Sequence, residues 1–185
     1  QPWGGNDPFG HGTHVAGIVA SSGSFSGGLY RGGAPGAKVV SVRVLDEEGA
    51  GTISSVIAGL DWVVQHKDEY GIRVVVMSLG KPIYEPAHLD PLVQAVEAAW
   101  NSGLVVVCSA GNFGRNGHFT VTSPGNSRLV ITAGSRTDWN TVYPKDDIVS
   151  TYSSRGPTFL DHFLKPDLVT PGNRIISLRA PGSTL

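Results

Sequence analysis

The chain has 185 residues, about one domain's worth and enough to bury a single sizeable core. Apolar residues make up 40% of it and the formal net charge is -1, so nothing points to a nucleic-acid or membrane surface, either of which would favour clustered basic charge. The apolar runs are short, such as LVVVCSA at 104–110, well below the length of a transmembrane helix, and 25 glycines with 12 prolines suit a loop-rich α/β domain better than a helical bundle.

In chain order, GHGTHVAGIVA (10–20) sets two histidines three apart in a run of small apolar residues and reads as the start of a helix. SGSFSGGLYRGGAPG (22–36) is rich in Gly and Ser and short enough to be an internal loop. KVVSVRVLD (38–46) is β-branched and predicts a strand. Over 52–71 the apolar positions Ile53, Val56, Ile57, Leu60, Val63 and Val64 fall at helical spacing, with Thr52 to cap the start and Gly71 to end it. RVVVMSLG (73–80) predicts a second, buried strand. A helix follows over 90–103, with Leu92, Val93, Val96, Ala99 and Trp100 on one face, Pro91 in its first turn and Gly103 past its end. LVVVCSAGN (104–112) and RLVITAG (128–134) predict further strands, and short ones are expected near 148–152 and 167–170. Cys108, the single cysteine, reads as a small buried hydrophobe.

Strand, helix, strand, helix, strand, with near-continuous apolar strands, predicts a mainly parallel sheet covered by helices on both faces. In such sheets the working groups lie on loops beyond the carboxyl ends of the strands. That singles out 45–52, 78–82 and 109–114. His11 and His14 would share a helix face. Three readings are open for them: both structural, a metal site completed by Asp7, or one of them a general base at the helix start. The metal reading lacks an HExxH pattern and a cysteine cluster. GGAPGAK lacks the spacing of a phosphate-binding loop.

Other segments favour the general base. GHGTHVAGIVA resembles the histidine motif of the subtilisin-like serine proteases. APGAKVVSVRVLDEEGAGT is similar to the strand and loop that follow it in that family, VVVMSLG to its substrate-pairing strand, and VVVCSAGN to its oxyanion-asparagine motif. STYSSRGP and KPDLVTPG resemble its later loops. The six segments occur in the family's order and cover nearly the whole chain. The resemblance implies an incomplete three-layer α/β fold of subtilisin type and a serine endopeptidase function. It makes His11 the general base, with His14 outside the triad, and Asn112 the side-chain donor of the oxyanion hole. Gly49, Ala50 and Gly51 on one side and Ser78, Leu79 and Gly80 on the other match the segments between which substrate lies extended, added as a strand. Ser109, Ala110 and Gly111, with the turn TSPGN (122–126), match walls of the main specificity pocket, small enough for an apolar or aromatic side chain. Ser123–Pro124 matches a bond that is cis in the family. Lys81 stands where the family often has a second glycine, a change at one pocket rim.

The resemblance also implies a triad in the order Asp, His, Ser. Asp7 lies four residues before His11, next to the histidine motif, and does not match the triad acid. No nucleophile motif of the GTSMA kind occurs, and GSTL (182–185) does not match it. The expectation is therefore that residues 1–185 form the central part of one catalytic domain, inactive alone. The expected partners are a polypeptide substrate in extended conformation and either further parts of the same domain or a second copy of the chain. Neither nucleic acid nor membrane is expected. A non-catalytic module that binds extended peptides, or a self-associating remnant of the family, is the alternative. No cofactor is expected to be required. Structural calcium is common in the family, but no acidic cluster in the sequence has a defensible ligand spacing, so the metal ligands are unknown. The resemblance favours an extracellular setting.

Overall fold

The computed structural model describes residues 6–139, 141 and 143–185. They fall into two units, one of residues up to Gly59 together with Ile176–Leu185, the other Leu60–Ile175.

In the first unit, α1 spans His11–Ala20 and begins directly after Gly10. Its open first turn is satisfied by Asp7, whose Oδ1 accepts from the Gly10 amide at 2.9 Å and whose Oδ2 accepts from the Thr13 amide at 2.8 Å. The final residues brace the approach to this helix. The amides of Thr184 and Leu185 donate to the carbonyls of Pro8 and Phe9 at 2.9 and 3.1 Å. The Ser177 hydroxyl donates to the His14 carbonyl at 2.7 Å. The segment 38–46, predicted as a strand, has no ladder partner among the described residues, and Val39 and Val40 are exposed. β-branched residues permit an extended chain, but a strand also requires a neighbour to pair with. α2 spans Ile53–Tyr70 as the periodicity predicts, beginning in the first unit and continuing into the second. The Thr52 hydroxyl accepts from the Ser55 amide at 3.1 Å, the expected cap.

The second unit is built on five strands: β1 (Val74–Met77), β2 (Val105–Ser109), β3 (Ile131–Thr137), β4 (Ile148–Val149) and β5 (Leu168–Pro171). β1, β2, β3 and β5 are mutually parallel where they pair, and β4 is antiparallel to β3. Ala133 pairs with both Ser109 and Leu168, so β2 and β5 lie on opposite edges of β3. The subtilisin-like α/β expectation, a mainly parallel and incomplete sheet, is what forms. β1 is the outermost strand and pairs with β2 alone among the described residues. Its valines are not all buried, as the sequence suggested. Val74 and Val76 are 52% and 46% exposed, while Met77 is buried.

α3 spans Pro91–Asn101 and packs against β2. Asp90 caps it, Pro91 fills its first position, and the amides of Gly103 and Leu104 close its end on the carbonyls of Trp100 and Ala99. Leu92, Val93, Val96 and Ala99 are buried as predicted, and each of the two valines contributes roughly 1.5–3 kcal/mol of burial. Cys108 is buried in β2. Among the described residues no helix is long and apolar enough to cross a membrane.

Candidate active site

His11 is the first residue of α1 and half-buried. Burial pushes its imidazole below the ordinary value of 6.5, and the charge of His14 adds to this. Asp7 pulls the other way and is outweighed. The ring is therefore biased toward the neutral form, the form that accepts a proton. Asp7 is itself held below 3.8. Burial raises it, but the amides of Gly10 and Thr13, the Thr13 hydroxyl and the charge of Arg43 outweigh that effect. Both Asp7 oxygens accept from the first turn of α1, Oδ2 also taking the Thr13 hydroxyl at 2.8 Å.

Gly49, Ala50 and Gly51 lie in a turn built on Asp46, whose Oδ1 accepts from the amides of Glu48 and Ala50 at 3.0 and 2.9 Å. The Phe9 ring packs on Gly49, so this turn sits against the approach to α1. His11 and residues 49–51 thus share the first unit. The remaining predicted residues belong to the second.

There, three predicted segments meet at the carboxyl ends of β1 and β2. Ser78, Leu79 and Gly80 follow β1, and Ser109, Ala110, Gly111 and Asn112 end and follow β2. Both are stitched to the turn 122–126. The Lys81 amide donates to the Ser123 carbonyl and the Ser123 amide to the Lys81 carbonyl, each at 2.9 Å. The Thr122 amide donates to the Ala110 carbonyl at 3.0 Å. The two strand ends touch directly through the Ser109 hydroxyl, 3.5 Å from the Leu79 carbonyl. Closeness explains two glycines. A Cβ on Gly80 would stand 2.7 Å from Thr122 Oγ1, and one on Gly111, which has φ +105°, would stand 2.8 Å from Thr122 Cγ2. The turn itself is buried from Val121 to Ser127, and Ser123–Pro124 is cis. Asn112 is exposed.

Two contacts carry no signal in the sequence. Ser154 is buried beside Asn112, its amide donating to the Gly111 carbonyl and its hydroxyl accepting from the Phe113 amide, each at 3.0 Å. The Lys81 ammonium lies 2.8 Å from Asp90 Oδ2 and 2.9 Å from Glu85 Oε1. The Asp90 signal, an aspartate just before a first-turn proline, was present in the sequence. No signal reports its pairing with Lys81. Among the described residues no three His, Cys, Asp or Glu side chains are grouped so as to hold a metal ion.

The description "Subtilase family" covers the family pattern that matches residues 3–185. Serine protease AprX of Bacillus subtilis (strain 168) is 47% identical over 182 residues, 96% of this chain and 41% of that protein. Subtilisin DY of Bacillus licheniformis is 41% identical over 130 residues, 70% of this chain and 44% of that protein. Among solved structures, Sphericase superposes with a TM-score of 0.78 at 28% identity, covering 96% of this chain and 57% of the other. A cold-adapted subtilisin-like serine proteinase superposes with a TM-score of 0.71 at 33% identity, covering 96% and 54%. The chain thus spans about two fifths of the length of these curated relatives, 41% and 44%. With its mainly parallel sheet and the loops gathered at the strand ends, the chain belongs to the subtilase family of serine proteases.

Proposed function

We propose that these residues serve a serine endopeptidase of subtilisin type that cleaves polypeptides bound in extended conformation. One observation carries this reading: Ser78–Gly80, Ser109–Asn112 and the 122–126 turn are hydrogen-bonded into a single platform at the mouth of a parallel sheet. His11 acts as general base, taking the proton of a serine hydroxyl that is a poor nucleophile until an imidazole relieves it of that proton. Its depressed basicity supports the role, because the ring is neutral and ready to accept near neutral pH. Asn112 donates its amide to the oxyanion of the tetrahedral intermediate. Its exposure leaves that amide accessible to substrate. Ser78–Gly80 and, in the first unit, Gly49–Gly51 each offer an edge for extended substrate, and the substrate side chain enters a pocket walled by Ser109–Gly111 and the buried turn. The chemistry needs no organic cofactor.

Residues 1–185 are, in this reading, one part of a catalytic domain. They contain no nucleophile motif, so the 185 residues alone do not turn over peptides. The test is hydrolysis of a chromogenic tetrapeptide by the full-length gene product and by the 185-residue chain. The full-length protein should be active and blocked by a serine-directed inhibitor, and the isolated chain inert. Asn112→Ala in the full-length protein should lower kcat about a hundred- to a thousandfold, a magnitude itself established on a subtilisin. Full activity of His11→Ala would overturn the assignment.

A further inference from the structure

Lys81 departs from the small residue that the family often carries after the first glycine of this segment, and the structure gives the departure a purpose. The Lys81 backbone exchanges two hydrogen bonds with Ser123, both 2.9 Å. Its side chain, 15% exposed, turns inward to Asp90, whose side chain is 0% exposed. Asp90 is tied down independently, since its Oδ1 accepts from the Leu92 amide at 2.9 Å as the cap of α3. Glu85 holds the same ammonium from the rim, and the Tyr84 ring lies 5.6 Å from it. The end of the 78–80 segment is therefore fixed twice, through the Lys81 backbone to the pocket turn and through its side chain to the start of a helix.

We propose that Lys81 is a positioning residue for peptide substrates: paired with buried Asp90, it holds the end of Ser78–Gly80 against the 122–126 turn, so that the segment presents a fixed edge to an extended chain. The proposal rests on the protease reading for the identity of what pairs there. A buried ion pair adds little net stability over apolar packing of the same shape, but it accepts few alternative geometries. That suits a device that sets an edge better than one that supplies stability. The charges support each other. Burial pushes the Lys81 ammonium down, and Asp90 and Glu85 more than reverse it. Burial pushes Asp90 up, and Lys81, the Ser123 hydroxyl and the Leu92 amide hold it low.

The test compares Lys81→Met and Lys81→Arg in the full-length protein on two substrates, an extended tetrapeptide and a single-residue ester too short to pair along 78–80. In Lys81→Met, kcat/KM for the tetrapeptide should fall about tenfold more than for the ester, chiefly through KM, because misplacement of an aligning edge is felt by substrates that use it. Lys81→Arg should preserve the ratio. General destabilisation would lower both substrates alike, and an unchanged ratio in a folded Lys81→Met overturns the proposal. Amide hydrogen exchange supplies a readout independent of activity. The amides of Lys81 and Ser123 should exchange faster in Lys81→Met, with β2 amides such as Val107 unchanged. Unaltered protection at Ser123 overturns the clamp. If wild type hydrolyses neither substrate, the protease reading fails, and the exchange experiment still decides whether Lys81 holds the segment. Should Lys81→Met not fold, Lys81→Gln removes the charge while leaving the contacts of Asp90 with Ser123 and Leu92, and is read by the same two measurements.

Discussion

Ser154 grips the chain on both sides of Asn112: its amide donates to the Gly111 carbonyl at 3.0 Å, and its hydroxyl accepts from the Phe113 amide at 3.0 Å. An exposed asparagine is thus mounted on a backbone that a buried serine holds still. Replacing Ser154 with Ala removes the Phe113 acceptor and leaves that amide short of a partner, at roughly 1 kcal/mol of stability. If Asn112 stabilises charge in the transition state, the loss in the full-length enzyme falls on kcat with KM nearly unmoved. Steady-state kinetics on a tetrapeptide, alongside thermal unfolding, check both parts.

His11 gives a prediction in pH. Its folded value lies below the ordinary 6.5, set first by burial and then by the charge of His14, against the pull of Asp7. The unfolded chain therefore binds more protons than the fold in the window just below 6.5. Stability rises with pH through that window and is fully present above it. An NMR titration of the imidazole resonances should place the His11 midpoint under 6.5, and His14→Gln should move it upward by removing a cationic neighbour. A midpoint above 6.5 in the wild-type chain contradicts the assignment.

Cys108 is buried in β2, and burial pushes its thiol up to about 12, against the weaker pull of Lys165. The thiolate is the reactive form, so the native protein should resist iodoacetamide at pH 8. Labelling should follow the unfolding curve in urea. Mass spectrometry at each denaturant concentration reads it directly, and rapid native labelling would show that the strand opens without unfolding.

Val74 and Val76 of the outermost strand β1 are exposed, as is Val105, the ladder partner of Val74 in β2, and β1 has one free edge among the described residues. Exposed apolar edges recruit partners. Sedimentation of the 185-residue chain should show concentration-dependent association, reduced by Val74→Lys with Val76→Lys. A single monomer species in the wild type at high concentration would contradict this.

The three helices were legible because each carries local signals: a period of apolar positions, a cap at Thr52, Pro91 at a start, Gly103 at an end. The strands were legible as far as pairing followed from strand–helix alternation. The segment 38–46 was not, because pairing depends on a neighbour that a run of valines does not identify. For the site, the motifs marked the loops, and the structure joins those of the second unit into one platform. Lys81 departs from the family's glycine at this position, but its partner Asp90 lies beyond a short loop, where sequence distance hides contact. Ser154 stood inside a recognised segment without a role, since a hydroxyl that supports a distant turn has no sequence spacing of its own.

Asp90 serves the first turn of α3 with one oxygen and Lys81 with the other. Fraying of the helix start by warming therefore also loosens one of the two carboxylates that hold the lysine, so the helix tip and the neighbouring edge soften together. Evolution of this protein toward colder or hotter settings cannot adjust the helix tip at Asp90 without also adjusting how firmly the neighbouring edge is held.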